Sequence, residues 1–296
     1  MKQSQIDIGI PAYNEASNIR NLIKSLIGQK NISIRKILVF SDGSTDKTNE
    51  IVENIRSRKL LLIKSPKRCG QANAQNIIFE KSTSEVLILI NADVKITDKY
   101  FLYKLALPIT KDHSVCLTSA KTLPVLSTTF FENIISTSHY EKNKLYESIS
   151  ADNIYLCHGR ARAFSKKLYK NFKFPKIIAE DAYSYLINKK HGFKFKYVPD
   201  AEIHFRSPST LSDHLKQSRR FISGINDLTN HFEKKKVLEE LRIPKTKMFK
   251  FLARLVMRNP IKAGIFLVVL AFTKMFGGNS VESSHIWQIS YSSKKI

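Results

Sequence analysis

The sequence predicts an α/β fold in which a mostly parallel central sheet is flanked by helices. Two observations support this prediction. Short apolar runs alternate with helix-length segments through the first part of the chain, and acidic residues follow three of those runs. Strand–helix alternation is typical of parallel sheets with helices on both faces. A basic and apolar C-terminal stretch adds a predicted helical appendage.

The alternating elements follow one another in a regular order. Strands are predicted at residues 6–10, 34–40, 60–63 and 86–90. The first helix is predicted from an apolar face that consists of Ile19, Leu22, Ile23, Leu26 and Ile27. The second helix follows the polar loop 41–48 and runs through residue 58, and the third spans residues 71–81.

The alternation weakens after residue 107. Residues 121–155 are polar and aromatic without a clear period, so no element is predicted there. Later patterns predict helices at residues 181–190 and 210–230, with a strand at 193–198 between them.

The chain of 296 residues is 43% hydrophobic and carries a formal charge of +24, with 49 Lys and Arg against 25 acids. A charge of this sign fits nucleic acid, or an anionic membrane surface with phosphorylated substrates. Because no nucleic-acid-binding motif is present, we expect the second class of partner and no nucleic acid. Cys69, Cys116 and Cys157 lack metal or redox spacing and are expected to be reduced thiols.

No secretory signal is expected, because the first ten residues lack an apolar core. No spanning helix is expected either, because no uncharged apolar stretch reaches the roughly 20 residues that a bilayer requires.

The C-terminal stretch predicts an amphipathic helix over residues 245–258. Its apolar face consists of Met248, Phe249, Phe251, Leu252, Leu255 and Val256, and its basic face consists of Lys247, Lys250, Arg254 and Arg258. Such a helix suits a membrane interface, and an ordinary helix packed on the domain is the alternative.

Pro260 is expected to end that helix. The uncharged segment 263–273 that follows is too short to cross a bilayer. Three alternatives are open for it: entry into one side of a membrane, pairing with another chain, or packing on the core. The predicted organisation is a catalytic domain over residues 1–230 and a basic, membrane-associating helical region over 231–296.

In parallel α/β sheets, ligands bind beyond the carboxyl ends of the strands. Residues 11–15, 41–44 and 91–93 each follow a predicted strand, and each segment carries an acid. We therefore expect the three segments to line one crevice.

Five motifs in this order resemble those of family 2 glycosyltransferases, which have the GT-A fold. They are IPAYNE (10–15), SDGSTDKT (41–48), NAD (91–93), AEDAYSYL (179–186) and QSRRFISG (217–224), and the resemblance covers residues 6–230. It implies an inverting hexosyltransferase that uses a nucleotide-sugar donor, expected to be UDP-linked, and Mg²⁺ or Mn²⁺.

The resemblance assigns the first three motifs to the donor. Asp42 is implied to bind the base and Glu15 the base or ribose, and carboxylates can accept from either group. Asp93 is implied to bind the metal as the last acid of a D-x-D motif. Asn91 replaces the first acid of that motif, which leaves a degenerate, inactive site as the alternative. The neighbouring donor-binding candidates are Pro11, Tyr13 and Ala92.

The segment 67–76 resembles the glycine-containing stretch that opens a helix in this family. Gly70 permits a close backbone approach. Gln71 stands where the family usually has Lys, so Lys67 and Arg68 become candidates for the diphosphate. A solvated basic loop is the alternative.

The last two motifs are implied to serve the acceptor. Asp181 is the general-base candidate and Glu180 adjoins it, although acids also stabilise a helix N-terminus. Gln217 and Arg220 lie on one predicted helix with Phe221, which replaces a Trp and offers an apolar wall; the Arg220 guanidinium suits phosphate oxygens. Two weaker assignments are His204, as a metal or phosphate ligand or a structural residue, and residues 158–160 at the acceptor site.

These assignments together predict transfer of a sugar to a glycan or lipid-linked acceptor in cell-surface polysaccharide or lipid-linked glycan synthesis. The expected location is the cytoplasmic side of the cell membrane, peripheral or monotopic. Two alternatives stay open: a polyprenyl-phosphate glycosyltransferase, and a non-catalytic protein that binds nucleotide sugars.

Overall fold

The computed structural model describes residues 5–276 and 290–296. The strands are β1 (Gln5–Ala12), β2 (Ser33–Asp42), β3 (Leu60–Ser65), β4 (Val86–Ile90), β5 (Val115–Pro124), β6 (Ala161–Ser165) and β7 (Lys194–Phe205). The helices of the first half are α1 (Ile19–Ile27), α2 (Thr48–Glu53), α3 (Gln71–Lys81), α4 (Phe101–Lys111) and α5 (Phe130–Ile149). Those of the second half are α6 (Lys166–Tyr169), α7 (Glu180–Lys190), α8 (Leu211–Leu228), α9 (Lys234–Glu240), α10 (Lys245–Arg258) and α11 (Pro260–Phe276).

Within the described residues, the strands form a seven-stranded sheet in the order β3-β2-β1-β4-β6-β5-β7. All neighbouring pairs are parallel except those of β6, which runs antiparallel to both β4 and β5. The fold is therefore the predicted α/β architecture, with one reversed strand inside a mostly parallel sheet.

The sheet separates two apolar clusters. One contains α1 and α4, and the other contains α3 and α7. Every residue of β4 is buried, as expected for a central strand covered on both faces. Because β1, β2 and β4 are parallel, the segments that follow them emerge at one edge of the sheet.

The four predicted early strands are present, whereas the second helix ends at Glu53 rather than at residue 58. The strand expected at residues 193–198 continues to Phe205 along β5. The elements that were not predicted include α4, β5, α5, β6 and α6.

Helix α5 escaped prediction because much of its buried face is polar. Glu132, Ser136 and Asn143 are all buried. Each is hydrogen-bonded: Glu132 pairs with Arg206 at 3.1 Å, Ser136 with Ser207 at 3.0 Å, and Asn143 with the carbonyl of Thr122 at 2.8 Å. A helix that buries satisfied polar groups lacks the apolar period by which helices are recognised.

Helices α10 and α11 pack against α5 in a third apolar cluster, which includes Phe251, Leu255, Ala263 and Phe266. Pro260 begins α11 and separates it from α10, as expected. Of the alternatives for residues 263–273, packing on the core is present on this inner side.

The predicted apolar face of α10 is divided between the core and solvent. Phe251 and Leu255 are buried, whereas Phe249 and Val256 are exposed. On the basic side, Arg254 and Arg258 form ion pairs with the buried carboxylate of Glu141 at 3.3 and 3.1 Å. None of the helices within the described residues combines the length and the apolar character that crossing a membrane requires.

Candidate active site

A cavity of about 700 Å³ opens at the carboxyl edge of β1, β2 and β4. Residues from all five sequence motifs line it, so the structure brings together segments that are far apart along the chain. The predicted site residues in its wall are Pro11, Tyr13, Glu15, Asp42, Arg68, Asn91, Ala92, Asp93, Glu180, Asp181, Gln217, Arg220 and Phe221.

Three predicted site residues do not line the cavity. Lys67 is exposed to solvent. Gly70 is buried, and its N–H donates to the Asp42 carboxylate. His204 exchanges two backbone hydrogen bonds with Lys95 at 2.8 and 2.9 Å, and its Nδ1 atom is buried without a hydrogen-bond partner in the described part of the chain. The cavity lining therefore gives no support to His204 as a metal ligand or to Lys67 as a diphosphate ligand, and both assignments stay predictions.

Asp42 holds the start of α3 against the end of β2. Its carboxylate accepts hydrogen bonds from the backbone N–H of Cys69 at 2.6 Å and of Gly70 at 3.1 Å, and from the Cys69 thiol at 2.9 Å. Gly70 has φ +89°, a conformation that favours glycine. The structural role of Asp42 is thus present. A carboxylate has about four lone-pair sites, which leaves capacity to accept from a base.

The first two motifs are joined by hydrogen bonds at one end of the cavity. This end is lined by Tyr13, Glu15, Asp42 and Asp93, and we name it the donor end after the role that the resemblance implies. The N–H of Glu15 donates to Thr48 Oγ1 at 2.8 Å, and that of Ala16 donates to Asp46 at 3.1 Å. The Arg68 guanidinium lies over the Tyr13 ring, 4.0 Å from its centroid. A cation stacked on an aromatic face forms one wall of this end.

Two carboxylates, Glu15 and Asp93, face each other across this end. Burial, followed by the charge of Asp93, raises the pKa of Glu15 to about 7. Excess negative charge of this kind favours a cation. The described residues contain no cluster of three or more metal-ligating side chains. Mg²⁺ and Mn²⁺ are often held by one or two carboxylates together with substrate phosphates, so the Asp93 carboxylate suits either ion.

The motif at residues 179–186 places Glu180 and Asp181 in the first turn of α7. The Asp181 carboxylate accepts from the N–H of Gly159 at 3.2 Å and from that of Ala182 at 2.8 Å. Burial, followed by the charge of Asp181, raises the pKa of Glu180 to about 7. Asp181 is less buried than Glu180, and its position in the cavity wall suits a proton acceptor.

Arg162 stabilises the start of α7 by hydrogen bonds. This buried arginine was not singled out from the sequence. Arg162 is fully buried. It donates to the Glu180 carbonyl at 2.9 Å, to Ser184 Oγ at 2.8 Å and to Gln75 Oε1 at 3.2 Å. These hydrogen bonds fix the orientation of the acidic first turn.

Helix α8 forms one wall of the cavity and packs against the residue before α7. Gly224 permits this approach, because a Cβ atom at this position would lie 2.8 Å from the Cβ of Ala179. Arg220 lines the cavity, and its charge opposes the rise in the pKa of Glu180, after the larger effects of burial, Asp181, Arg162 and a backbone hydrogen bond. Phe221 is 58% exposed at the rim.

Residues 290–296 return to the donor end, which the sequence did not indicate. The Lys294 ammonium donates to Glu15 Oε1 at 2.8 Å, to the Asn14 carbonyl at 3.1 Å and to the Tyr13 carbonyl. The N–H of Ser292 donates to Asp213 of α8 at 2.9 Å. No local pattern predicts a contact between the two ends of a chain.

The weakly assigned residues 158–160 also line the cavity. Arg160 lies 3.7 Å from the centroid of the Phe205 ring. Burial lowers the pKa of its guanidinium, and the charge of Asp93 opposes that shift. The inner part of the cavity carries further basic residues that sequence reasoning missed, namely His139, Lys142 and His214. The first two lie on the unpredicted α5.

Residues 7–172 match the family model described as glycosyl transferase family 2. Among curated proteins, an uncharacterized glycosyltransferase of Haemophilus influenzae is 34% identical over 31% of this chain and 38% of its own length. A β-1,4-mannosyltransferase of Caenorhabditis elegans is 40% identical over 19% of this chain and 12% of its own length. The chain thus spans less than half the length of either relative.

Three solved structures share the fold at low identity. The mannosyltransferase PcManGT of Pyrobaculum calidifontis has a TM-score of 0.61 and 19% identity over 96% of this chain and 78% of its own. Residues 1–349 of S. aureus TarS have a TM-score of 0.53 and 19% identity, over 83% of this chain and 72% of their own. Glucosyl-3-phosphoglycerate synthase of Mycobacterium tuberculosis has a TM-score of 0.51 and 14% identity, over 75% of this chain and 78% of its own. The fold is that of the GT-A glycosyltransferases.

Proposed function

The chain belongs to glycosyl transferase family 2 and is a glycosyltransferase, and we propose that it transfers a sugar, with inversion, from a nucleoside diphosphate sugar to a glycan or lipid-linked acceptor. The observation that supports this most directly is that one cavity is lined by both Asp93 and Asp181. Each of these acids is close enough to a second carboxylate to raise its pKa. The first pair serves the donor and the second serves the acceptor.

The donor lies against the carboxyl edge of the sheet. Asp42 and Glu15 accept from the base and ribose, and the Tyr13–Arg68 stack bounds the nucleotide. Asp93 would hold Mg²⁺ or Mn²⁺, which would supply positive charge to the leaving diphosphate, whereas Glu15 is paired with Lys294. PcManGT was solved with GDP-Man and Mn²⁺, and the M. tuberculosis synthase with UDP and Mn²⁺, so both nucleotides are candidates.

Asp181 acts as the general base toward the acceptor hydroxyl. The N–H of Gly159 orients its carboxylate, and Arg162 holds the turn that carries it. The raised pKa of Glu180 keeps part of this neighbouring acid protonated near pH 7, which limits the negative charge beside Asp181.

We also propose that α10 and α11 face a membrane surface. Their outer sides expose Phe249, Met257, Ile261, Val268 and Met275, each of which is more than two-thirds exposed. The surrounding lysines and arginines, within a chain of net charge +24, complement anionic headgroups. Sedimentation with phosphatidylglycerol vesicles tests this. We expect binding by the wild type and loss of binding by the variant Ile261→Asp/Val268→Asp, whereas binding to neutral vesicles stays weak.

A donor panel tests the proposed function. Release of UDP or GDP from a set of nucleotide sugars would be measured with Mn²⁺ or Mg²⁺, using membranes of the source cell as acceptor. We expect one donor to be turned over. Asp181→Asn should reduce that turnover by roughly 10²–10⁴-fold, the usual contribution of a general base. Asp93→Asn should abolish the metal-dependent part.

Asp200→Asn is the matched control, because Asp200 is exposed and lies outside the cavity. Equal turnover by the wild type and Asp181→Asn would remove Asp181 from the role of base. Metal-dependent nucleotide binding without turnover of any donor would instead favour a non-catalytic protein.

A further inference from the structure

The cavity continues from the catalytic acids to an inner end beneath α11. Three helices line this end: α5 contributes His139 and Lys142, α8 contributes His214, and α11 contributes Phe266 together with Leu270 and Thr273. Three basic side chains therefore line the same part of the cavity as the apolar side chains Phe266 and Leu270 of α11. None of the three has a role in the proposed transfer.

Lys142 is a half-buried cation that has no counter-ion within the described residues. Its ammonium lies 5.3 Å from the centroid of the Phe266 ring, and it has no hydrogen bond or ion pair with any described residue. Burial lowers its pKa to about 8, so the group is still mainly charged at pH 7. The preceding Glu141 does not neutralise it, because that carboxylate pairs with Lys144, Arg254 and Arg258.

His139 and His214 lie close enough to Lys142 for its charge to act on both. The pKa of His214 is lowered to about 4 by burial and then by Lys142, and that of His139 is lowered by burial and then by Lys142. Both imidazoles are therefore neutral at pH 7, and each has one N–H to donate. His139 packs edge-on against Phe205, with the ring centroids 5.2 Å apart.

The other charged groups that act on these histidines are basic as well. Arg160, which stacks on Phe205, and His158 both contribute to the lowered pKa of His139. Burial alone lowers the pKa of Lys142, and the charge of Lys142 adds to the effect of burial in lowering the pKa of His214. A desolvated cation without a partner is costly, and an anion that enters the cavity would supply the partner.

We propose that Lys142, His139 and His214 form a subsite for a phosphate group of the acceptor. The inference rests on the proposed function, since it names the class of acceptor. Lys142 supplies the charge and the imidazole N–H groups supply directed hydrogen bonds. Phe266 and Leu270 provide an apolar wall beside the phosphate, and the opposite side of α11 exposes Ile261 and Val268. A phosphate on a lipid carrier and a phosphate on a soluble sugar share this chemistry.

Binding of simple phosphates to the full chain tests the subsite. Titration calorimetry would compare farnesyl phosphate, farnesol and inorganic phosphate, with a chelator present so that no metal at Asp93 contributes. We expect farnesyl phosphate to bind and Lys142→Met to weaken it roughly 10- to 100-fold, the range expected for a charge-assisted hydrogen bond. Methionine keeps the length and apolar stem of the side chain and removes the charge, so the variant is expected to fold.

Lys144→Met is the matched control, because Lys144 lies on the same helix, is exposed and pairs with Glu141. His214→Phe provides a second variant, which should also weaken binding. A lipid phosphate is indicated when farnesyl phosphate binds more tightly than inorganic phosphate. A soluble phosphate is indicated when the two bind alike and both are weakened by Lys142→Met. Equal affinity of Lys142→Met and the wild type, or no binding of either phosphate, overturns the proposal.

Failure of this inference can be told apart from failure of the proposed function. Hydrolysis of the donor in the absence of any acceptor depends on the donor end alone, and the control variant Lys144→Met should leave it unchanged. If the donor is hydrolysed while Lys142→Met keeps full phosphate affinity, the subsite is wrong and the transferase function stands. If no donor is turned over but Lys142→Met loses phosphate affinity, the subsite stands without that function.

Discussion

Gln71 donates a hydrogen bond from Nε2 to Oδ1 of Asn91 across 3.0 Å. Both positions depart from the family motifs, with Gln in place of Lys and Asn in place of Asp, and Phe221 in place of Trp is a third departure. The bond joins the start of α3 to the residue after β4, two positions from Asp93. A contact that two charged residues could make is thus made by two amides. Asn91 is a partner of Gln71, which weighs against its being the mark of a degenerate site.

The two substitutions should therefore be energetically coupled. Asn91→Asp alone should retain or raise activity, because the Gln71 amide donates equally well to a carboxylate. Gln71→Lys/Asn91→Asp should also be active, with a coupling free energy of roughly 0.5–3 kcal/mol relative to the single variants. Urea unfolding and kcat/KM of the four proteins measure this coupling. Strict additivity of the single effects would show that the two side chains act independently.

The donor end was predictable because its residues follow strands that are recognisable locally. β1, β2 and β4 are short apolar runs, and their parallel pairing brings residues 11–15, 41–44 and 91–93 to one edge. No long-range information was needed beyond the rule that ligands bind at the carboxyl ends of such strands.

The inner end was not predictable because it depends on α5 and on contacts between distant segments. α5 buries polar side chains such as Glu132 and Asn143, so its sequence lacks an apolar period. Lys294 reaches Glu15 across 279 positions of the chain. The role of His204 stays a prediction, because residue type alone does not show which positions of a strand face a cavity.

Glu15 should make the stability of the protein depend on pH. Its folded-state pKa of about 7 lies above its ordinary value of 4.5, so the folded protein binds more protons than the unfolded chain between these values. Stability should therefore fall as the pH rises through this window. Glu15→Gln should reduce the fall by up to roughly 3 kcal/mol, the equivalent of the full shift. Glu180 titrates in the same window and should leave a residual slope.

Urea unfolding at pH 5, 6, 7 and 8, with a chelator present, measures this dependence. Glu50→Gln is the control, because Glu50 is an exposed glutamate in α2. Identical pH slopes for Glu15→Gln and the wild type would mean that Glu15 is not the titrating group.

Gly159 should set the position of the proposed base. A Cβ atom on this residue would lie 3.2 Å from Asp181 Oδ2 and 3.4 Å from Glu180 Oε1. Gly159→Ala therefore requires these acids to shift by a few tenths of an ångström. We expect kcat to fall roughly 10- to 100-fold, because displacing a catalytic group by about 1 Å can cost about 10²-fold. The KM for the donor should change little.

Steady-state kinetics and thermal unfolding of Gly159→Ala separate a catalytic effect from a loss of stability. Gly264→Ala in α11 is the matched control, since a Cβ atom there meets no heavy atom within 4 Å. A wild-type kcat in Gly159→Ala would mean that the exact placement of Asp181 is unimportant, contrary to its role as base.

Lys294 should contribute to donor affinity rather than block the donor site. Its ammonium neutralises part of the charge of Glu15 and lies beside the carbonyls of Tyr13 and Asn14. A diphosphate that binds near Asp93 brings further negative charge, which this cation stabilises. Lys294→Met should therefore raise the Kd for the nucleotide roughly 10-fold, the order expected for one charge-assisted hydrogen bond. Lys295→Met is the control, because that side chain is exposed. Calorimetry with UDP and GDP in the presence of Mn²⁺ measures the effect. Tighter nucleotide binding by Lys294→Met would show the opposite role, in which residues 290–296 occupy the donor site and must leave before the nucleotide enters.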